Sequence, residues 1–314
     1  MNTSISTIIP FYNCISTLSK MLDSILAGEL LPSEIILVDD GSTDGSFDLA
    51  NSYAERNSII KVYSQDHQGA SAARSLGLSY AKSYWISFLD ADDYIEPDMY
   101  SRMIEAMVKA DSNDTIDGCI CGYYTHKEGL STPYFRKTSS ILSSKEILSA
   151  MFTDDTIRGF LVTRLFRYNL IKDLSFNQNI KLSEDLLYQS QLFSSYNLHY
   201  VYVPYPLYHY VLNSASVTGN CSYFDDATFV YKPSFKLIEQ YADKSIVQKS
   251  YDSILDYCMF NLLSHYKRSR DRELLVQIKQ LKEEMRKTKT PLSQKSKRRI
   301  AYEIIPSRIL TAIF

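Results

Sequence analysis

Along the first 125 residues, short apolar runs alternate with stretches whose apolar positions fall on one helical face. Ser6–Pro10, Glu34–Val38, Ile59–Tyr63, Tyr84–Leu89 and Ile116–Tyr124 read as strands. The segments Ile15–Ala27, Phe47–Glu55, Ala70–Ala81 and Pro97–Ala110 read as helices, the second capped by Thr43 or Asp44 and the last with Pro97 in its first turn. Continuous apolar strands separated by helices of 10–15 residues predict βαβ units, and so an α/β fold whose mainly parallel sheet carries helices on both faces. Such sheets bind ligands at the carboxyl ends of their strands. The polar clusters Tyr12-Asn13, Asp39-Asp40 and Asp90–Asp93 fall at those ends.

Beyond Ser143 the pattern changes. Helical segments Lys145–Phe152 and Glu184–Tyr196 flank short aromatic strands at His199–Tyr202 and Tyr208–Val211, and from Asp226 onward the chain reads as helices. This divides the protein into residues 1–225, with halves at about 1–125 and 126–225, and a basic helical region at 226–314.

Charge sharpens that division. The net formal charge of −2 conceals a tail, residues 265–314, with 14 Lys and Arg against 5 Asp and Glu; residues 1–264 net −11. The basic helices and the apolar 300–314 end are expected either to lie on an anionic inner-membrane surface or to pack as an accessory or homodimer contact. A solvated basic face is the plain alternative. No apolar stretch is long enough to span a bilayer, the first residues lack a signal-peptide pattern, and the balanced total argues against nucleic acid. The five cysteines show no CxxC pair and are expected to be reduced thiols, as in a cytoplasmic protein. At 45% hydrophobic and 22% charged the composition is that of a globular chain, which excludes disorder over most of its length and collagen-like or disulfide-stapled folds.

Four clusters carry candidate chemistry. Asp90-Ala91-Asp92-Asp93 sets alternating carboxylates at a strand end, where they can hold Mn²⁺ or Mg²⁺ against a diphosphate; the same residues also suit a helix cap. Asp39-Asp40-Gly41 makes a turn, and its carboxylates can accept hydrogen bonds from a base or ribose. His67 to Gly77 joins a flexible Gly69 to a small-residue helix start, with Arg74 one turn in and able to reach an anion. Glu184-Asp185 reads either as the acidic first turn of a helix capped by Ser183 or as a general base facing the pocket. GxGxxG, P-loop, GxSxG and HExxH spacings are absent.

In this order, STIIPFYN, IILVDDGSTDGS, HQGASAARSLG and SFLDADD, followed by RGFLVTRLFRYNLI, KLSEDLLY and PLYHYVLNSASVT, resemble glycosyltransferase family 2, the inverting transferases of the GT-A fold, in its bacterial surface-glycan form. The resemblance covers roughly residues 4–220. It implies a hexose or N-acetylhexosamine moved from a UDP-sugar to a hydroxyl of a glycan, lipid-linked or glycoprotein acceptor, in the cytoplasm or at the inner face of the membrane. It places Pro10, Tyr12, Asp39, Asp40, His67, Arg74, Asp90, Ala91, Asp92 and Ser216 at the nucleotide-sugar. The metal falls to Asp92, with Asp90 and His209 beside it, and the base to Asp185, with Glu184 adjacent. His67, Ser75 and Arg164 depart from the residues usual there, which are Asn, Asn and Lys. A nucleotidyltransferase, or a non-catalytic carbohydrate-binding protein on the same fold, is the alternative; PFYN in place of a Gly-rich phosphate loop argues against the first.

Overall fold

The computed structural model describes residues 2–110, 115–180, 183–212, 232–288 and 297–305. Contacts divide the chain into two compact units, Met1–Asn213 and Ser214–Phe314.

The first unit opens with β1 (Ile5–Phe11), α1 (Leu18–Leu26), β2 (Glu34–Asp39), α2 (Ser46–Arg56), β3 (Ile60–Ser64), α3 (Ala70–Tyr80) and β4 (Trp85–Phe88). These four strands lie in the order β3-β2-β1-β4, all parallel. Every residue of β1, β2 and β4 is buried, and alternate side chains serve opposite faces. Ile5, Ile9 and Leu37 join the core under α1, whereas Ile8, Ile36 and Val38 join the core under α3. Gly77 lets α3 sit close to β1, since a Cβ there would lie 2.5 Å from Ile8 Cγ2.

The unit continues with β5 (Tyr94–Ile95), α4 (Met99–Ala110), β6 (Gly118–Lys127), β7 (Leu130–Tyr134), β8 (Ser140–Ser143), α5 (Ser144–Thr153), β9 (Arg164–Arg167), α6 (Tyr168–Ile171), α7 (Glu184–Ser195) and β10 (His199–Val211). The sheet is mixed: β9 enters antiparallel between β4 and β6, and β10 runs parallel to β6. The two aromatic strands expected at 199–202 and 208–211 are one strand with register shifts around Pro206, whose neighbour at 204 is also proline. Ser143 and Glu146 form a capping box on α5.

Two expected caps are corrected. Gly45, at φ 93°, precedes α2, and Asp44 accepts the Ser46 N–H instead; Ser183, at φ 62°, makes no side-chain cap on α7. Cys119 and Cys121 are buried on one face of β6, and Cys14, Cys119, Cys121 and Cys258 are free; Cys221 lies outside the described residues.

The second unit contains α8 (Lys232–Ile238), α9 (Lys244–Ser269), α10 (Arg272–Lys287) and α11 (Lys297–Ile304). Arg299, the last residue of the KSKRR run, is 1% exposed. It meets Glu303 at 2.7 Å, Asp252 at 3.4 Å and Asp256 at 3.5 Å, and donates to the Met285 carbonyl at 2.8 Å. Buried Lys282 donates to the Ile305 carbonyl. Part of the basic excess therefore braces the helices from within. No described helix is long and apolar enough to cross a membrane.

Candidate active site

Asp39 ends β2, and only 3% of it is exposed. Its carboxylate accepts the Ser42 N–H at 3.1 Å and the Ser64 hydroxyl at 3.3 Å. Asp39 and Ser64 line an open cavity of about 780 Å³ with Gly41, Ser42, Phe47, Gln65, Asp66 and His67. Pro10 is buried in β1 two residues before Tyr12, which is 45% exposed with its ring 4.2 Å from that of His67. The cavity lining therefore combines aromatic rings, those of Phe47 and His67, with the buried Asp39 carboxylate.

Asp40, also buried, is used inwardly. It accepts the backbone N–H groups of Gln68 and Gly69, each at 2.8 Å, and the Gln65 amide at 2.7 Å; His67 Nδ1 lies 2.9 Å from it. Asp40 therefore holds the entry to α3, where Gly69 at φ 91° precedes the helix. That entry directs Arg74 across the strand ends.

Arg74 is the junction of the site. One guanidinium nitrogen donates to Asp90 at 2.9 Å, from the end of β4, and the other to Glu184 at 2.7 Å, from the start of α7. The two carboxylate clusters of the sequence, 110 residues from Arg74 at the farther one, are thereby drawn to a single cation. Only 7% of Arg74 is exposed; burial lowers its proton affinity, and the Asp90 and Glu184 carboxylates more than offset this and raise it.

The Asp90–Asp93 turn separates its acids. Asp93 is buried, and its two oxygens take the Tyr208 hydroxyl and, at 2.7 Å, the Val211 N–H. Burial, then Asp90 and Asp92, push its carboxyl well above the ordinary range. Asp93 thus pins the turn to β10, while Asp90 and Asp92 stay partly exposed and Ala91 packs into the core. Burial and Asp90 raise the Asp92 carboxyl to about 6. Among the described residues no three His, Cys, Asp or Glu side chains form a cluster able to hold a metal by themselves. Asp90 and Asp92 offer two hard oxygen donors, which suits a cation completing its shell with phosphate oxygens and water.

Asp185 stands in the first turn of α7 and accepts the Leu186 N–H at 2.7 Å. Burial and then Glu184 raise its carboxyl to about 7, with Arg74 pulling the other way. A carboxylate poised there can take a proton near neutral pH. His209 is engaged at both ring nitrogens, by Glu96 at 2.8 Å and His126 at 2.8 Å, and its ring is stacked on those of Tyr94 and Tyr124. Ser216 lies outside the described residues.

Tyr208 and Phe176 escape a linear reading. Tyr208 is 115 residues from the Asp93 it bonds, and Phe176 lies under Arg74, 6.0 Å from the guanidinium carbon. Only the pairing of β5 with β10 brings the first contact about.

The site thus joins a parallel half sheet, an acidic turn at the end of its fourth strand and a second acidic pair across a buried arginine. The model of glycosyl transferase family 2 matches residues 6–162, half of the chain, and the protein belongs to that family. EpsH of Bacillus subtilis is 26% identical over 287 residues, 88% of this chain and 81% of EpsH. The cholesterol galactosyltransferase of Borreliella burgdorferi is 32% identical over 201 residues, 60% of this chain but 55% of that protein. S. aureus TarS 1–349 in complex with UDP-GlcNAc is similar in fold, with a TM-score of 0.66 at 19% identity, covering 98% of this chain and 90% of TarS. The TarS 1–349 complex with UDP gives 0.60, covering 93% and 76%. The protein is a transferase enzyme, and the nucleotidyltransferase and non-catalytic alternatives fall away.

Proposed function

We propose that the protein transfers a hexose or N-acetylhexosamine, with inversion, from a UDP-sugar to a hydroxyl of a glycan, lipid-linked or glycoprotein acceptor. The observation that carries this reading is Arg74, bonded at once to Asp90 and Glu184, so that a diphosphate-side acid and a base-bearing helix start share one cation. The UDP and UDP-GlcNAc complexes of TarS support the donor class.

Asp185 accepts the proton of the acceptor hydroxyl as its oxygen bonds to the anomeric carbon. The bond to the UDP oxygen breaks on the opposite face, so one displacement inverts the anomer and needs no covalent enzyme intermediate. Tyr12 and Asp39 hold the base, and Arg74 orients Asp90 near the ribose. Asp92 and Asp90 are the residues that would hold Mn²⁺ or Mg²⁺, which when bound neutralises charge on the leaving diphosphate. His209, with its nitrogens already engaged, orders the β10 side of the acidic turn. Residues 1–225 carry this chemistry in a nucleotide half and an acceptor half, and residues 226–314 a separate function at the membrane surface or in self-association.

The test is UDP release from a panel of UDP-sugars with Mn²⁺ and simple saccharide acceptors, together with calorimetry of UDP. Turnover with one donor class, giving the opposite anomer, is expected. No release with any donor and no UDP binding overturns the reading.

A further inference from the structure

Facing the start of α7 is a short segment, residues 157–160, whose four carbonyls are all held by two side chains. Arg164, at the first position of β9, is 0% exposed. Its guanidinium donates to the carbonyls of Phe160, of Arg158 at 2.6 Å and of Ile157 at 3.3 Å. Gln189, also 0% exposed, donates through Nε2 to the remaining carbonyl, that of Gly159, at 2.6 Å. The same Nε2 donates at 3.1 Å to the carbonyl of Asp185, one helical turn earlier.

Four consecutive carbonyls turned inward are an unusual demand on a loop, because buried acceptors must be satisfied one by one. The chain meets it with a cation that, among the described residues, pairs with no carboxylate and bonds only to backbone oxygens. Burying a guanidinium this way costs stability, and a packing role alone would be served by an apolar side chain. Gln189 shows the same bias toward donation: its Oε1 has no hydrogen-bond partner among the described residues. The loop also presses on α7 directly. A Cβ on Gly159 would come within 2.4 Å of Leu186, the residue after Asp185. Arg158 adopts φ 35°, a left-handed conformation a non-glycine residue keeps only when its surroundings impose it.

We infer that Arg164 and Gln189 are positioning residues for the reaction: together they clamp the 157–160 loop against the first turn of α7 and so fix where the Asp185 carboxylate points. The clamp has two jaws. Arg164 holds the loop from the sheet, and Gln189 ties the loop to the backbone of Asp185 itself. Asp185 is held by the clamp on its acceptor side and by the Glu184–Arg74 pair on its diphosphate side. The charged groups around it are Glu184, Arg74 and Asp90, with Arg164 contributing its positive charge from beneath. Arg164 and Gln189 are both fully buried and act through the backbone they hold. A sequence reading places Arg164 only as a departure from the Lys usual there; a lysine, with one point of donation, reaches fewer of the three carbonyls than the planar fork does.

This inference rests on Asp185 being the base, and the experiment separates the two. Full-length Arg164→Lys, Arg164→Met and Gln189→Leu are compared with wild type and with Asp185→Asn. The measurements are UDP affinity by calorimetry, kcat and donor KM by UDP release, and the pH profile of kcat. The clamp predicts UDP affinity and donor KM within about twofold of wild type in all three variants, with kcat down at least tenfold. It also predicts that the acid limb of the pH profile moves upward in Arg164→Met but stays in Arg164→Lys, which keeps the charge. Folding is followed by circular dichroism; should Arg164→Met fail to fold, Gln189→Leu, which removes no charge, carries the test. Folded variants with wild-type kcat overturn the inference, as do variants whose kcat falls only in step with UDP affinity. Undiminished turnover in Asp185→Asn overturns the base assignment instead.

Discussion

Replacing Arg74 by methionine removes the cation that Asp90 and Glu184 share while keeping most of its volume. Removing one partner of a buried ion pair costs about 3–5 kcal/mol, since the other charge is left without compensation. Here the Glu184 side chain is 15% exposed and that of Asp90 32%, so water relieves part of the loss, above all at Asp90. The destabilisation expected is therefore about 2–4 kcal/mol, read as a lower urea midpoint with an unchanged slope, or a melting point lower by roughly 5–15 °C. A second consequence concerns Asp185. Arg74 favours its ionised form, so without Arg74 the carboxyl moves above its value of about 7. The base is active only when ionised. The activity of wild type should rise with pH through about 7, and that rise should shift upward by about one pH unit in Arg74→Met, equivalent to about 1.4 kcal/mol. Arg74→Lys keeps the charge with one donor group in place of the fork and should fall between the two. An Arg74→Met protein within 0.5 kcal/mol of wild-type stability (a threshold of about the usual scatter for surface changes), with its acid limb unmoved, refutes the reasoning that places Arg74 at the junction.

Other expectations follow from single contacts. Asp185→Asn should retain UDP affinity and lose about 10²–10⁴ in kcat, measured by UDP release, since the amide cannot take the proton. Gly77→Ala should destabilise by about 1–3 kcal/mol in urea unfolding because its Cβ would fall 2.5 Å from Ile8 Cγ2; an unchanged midpoint would show that α3 can move off β1 freely. Arg299→Met should lower the stability of the second unit by about 3–5 kcal/mol, seen as helix loss at lower temperature by circular dichroism of the full chain, because it leaves Asp252, Asp256 and Glu303 around an uncharged side chain.

The parallel half of the sheet was legible because β1, β2 and β4 are buried on both faces, so their apolar runs have no polar interruption to confuse the pattern. β7 was not legible: four of its five residues are exposed, and its existence depends on pairing with β6. β9, only four residues between a 3₁₀ turn and a short helix, is defined by its neighbours β4 and β6 rather than by its own period. At the site the difference is between chemistry and partner. Asp39, Asp90 and Asp185 stood out by residue type at strand or helix ends. The inward use of Asp40, and the pinning of Asp93 by Tyr208, are tertiary pairings with no local signature. The charge tally misled in one respect: it counted Arg299 and Lys282 as surface basicity, and both are buried.

Asp93 has one further consequence. Both of its oxygens are spent on β10, so the Asp90–Asp92 turn inherits the stiffness of a sheet strand although it is formally a loop. A loop that had to be ordered by its ligand would lose conformational entropy at each binding event. On the proposed role of Asp90 and Asp92 at the donor, much of that ordering precedes binding, and the temperature dependence of donor affinity should reflect desolvation and contact more than freezing of the turn.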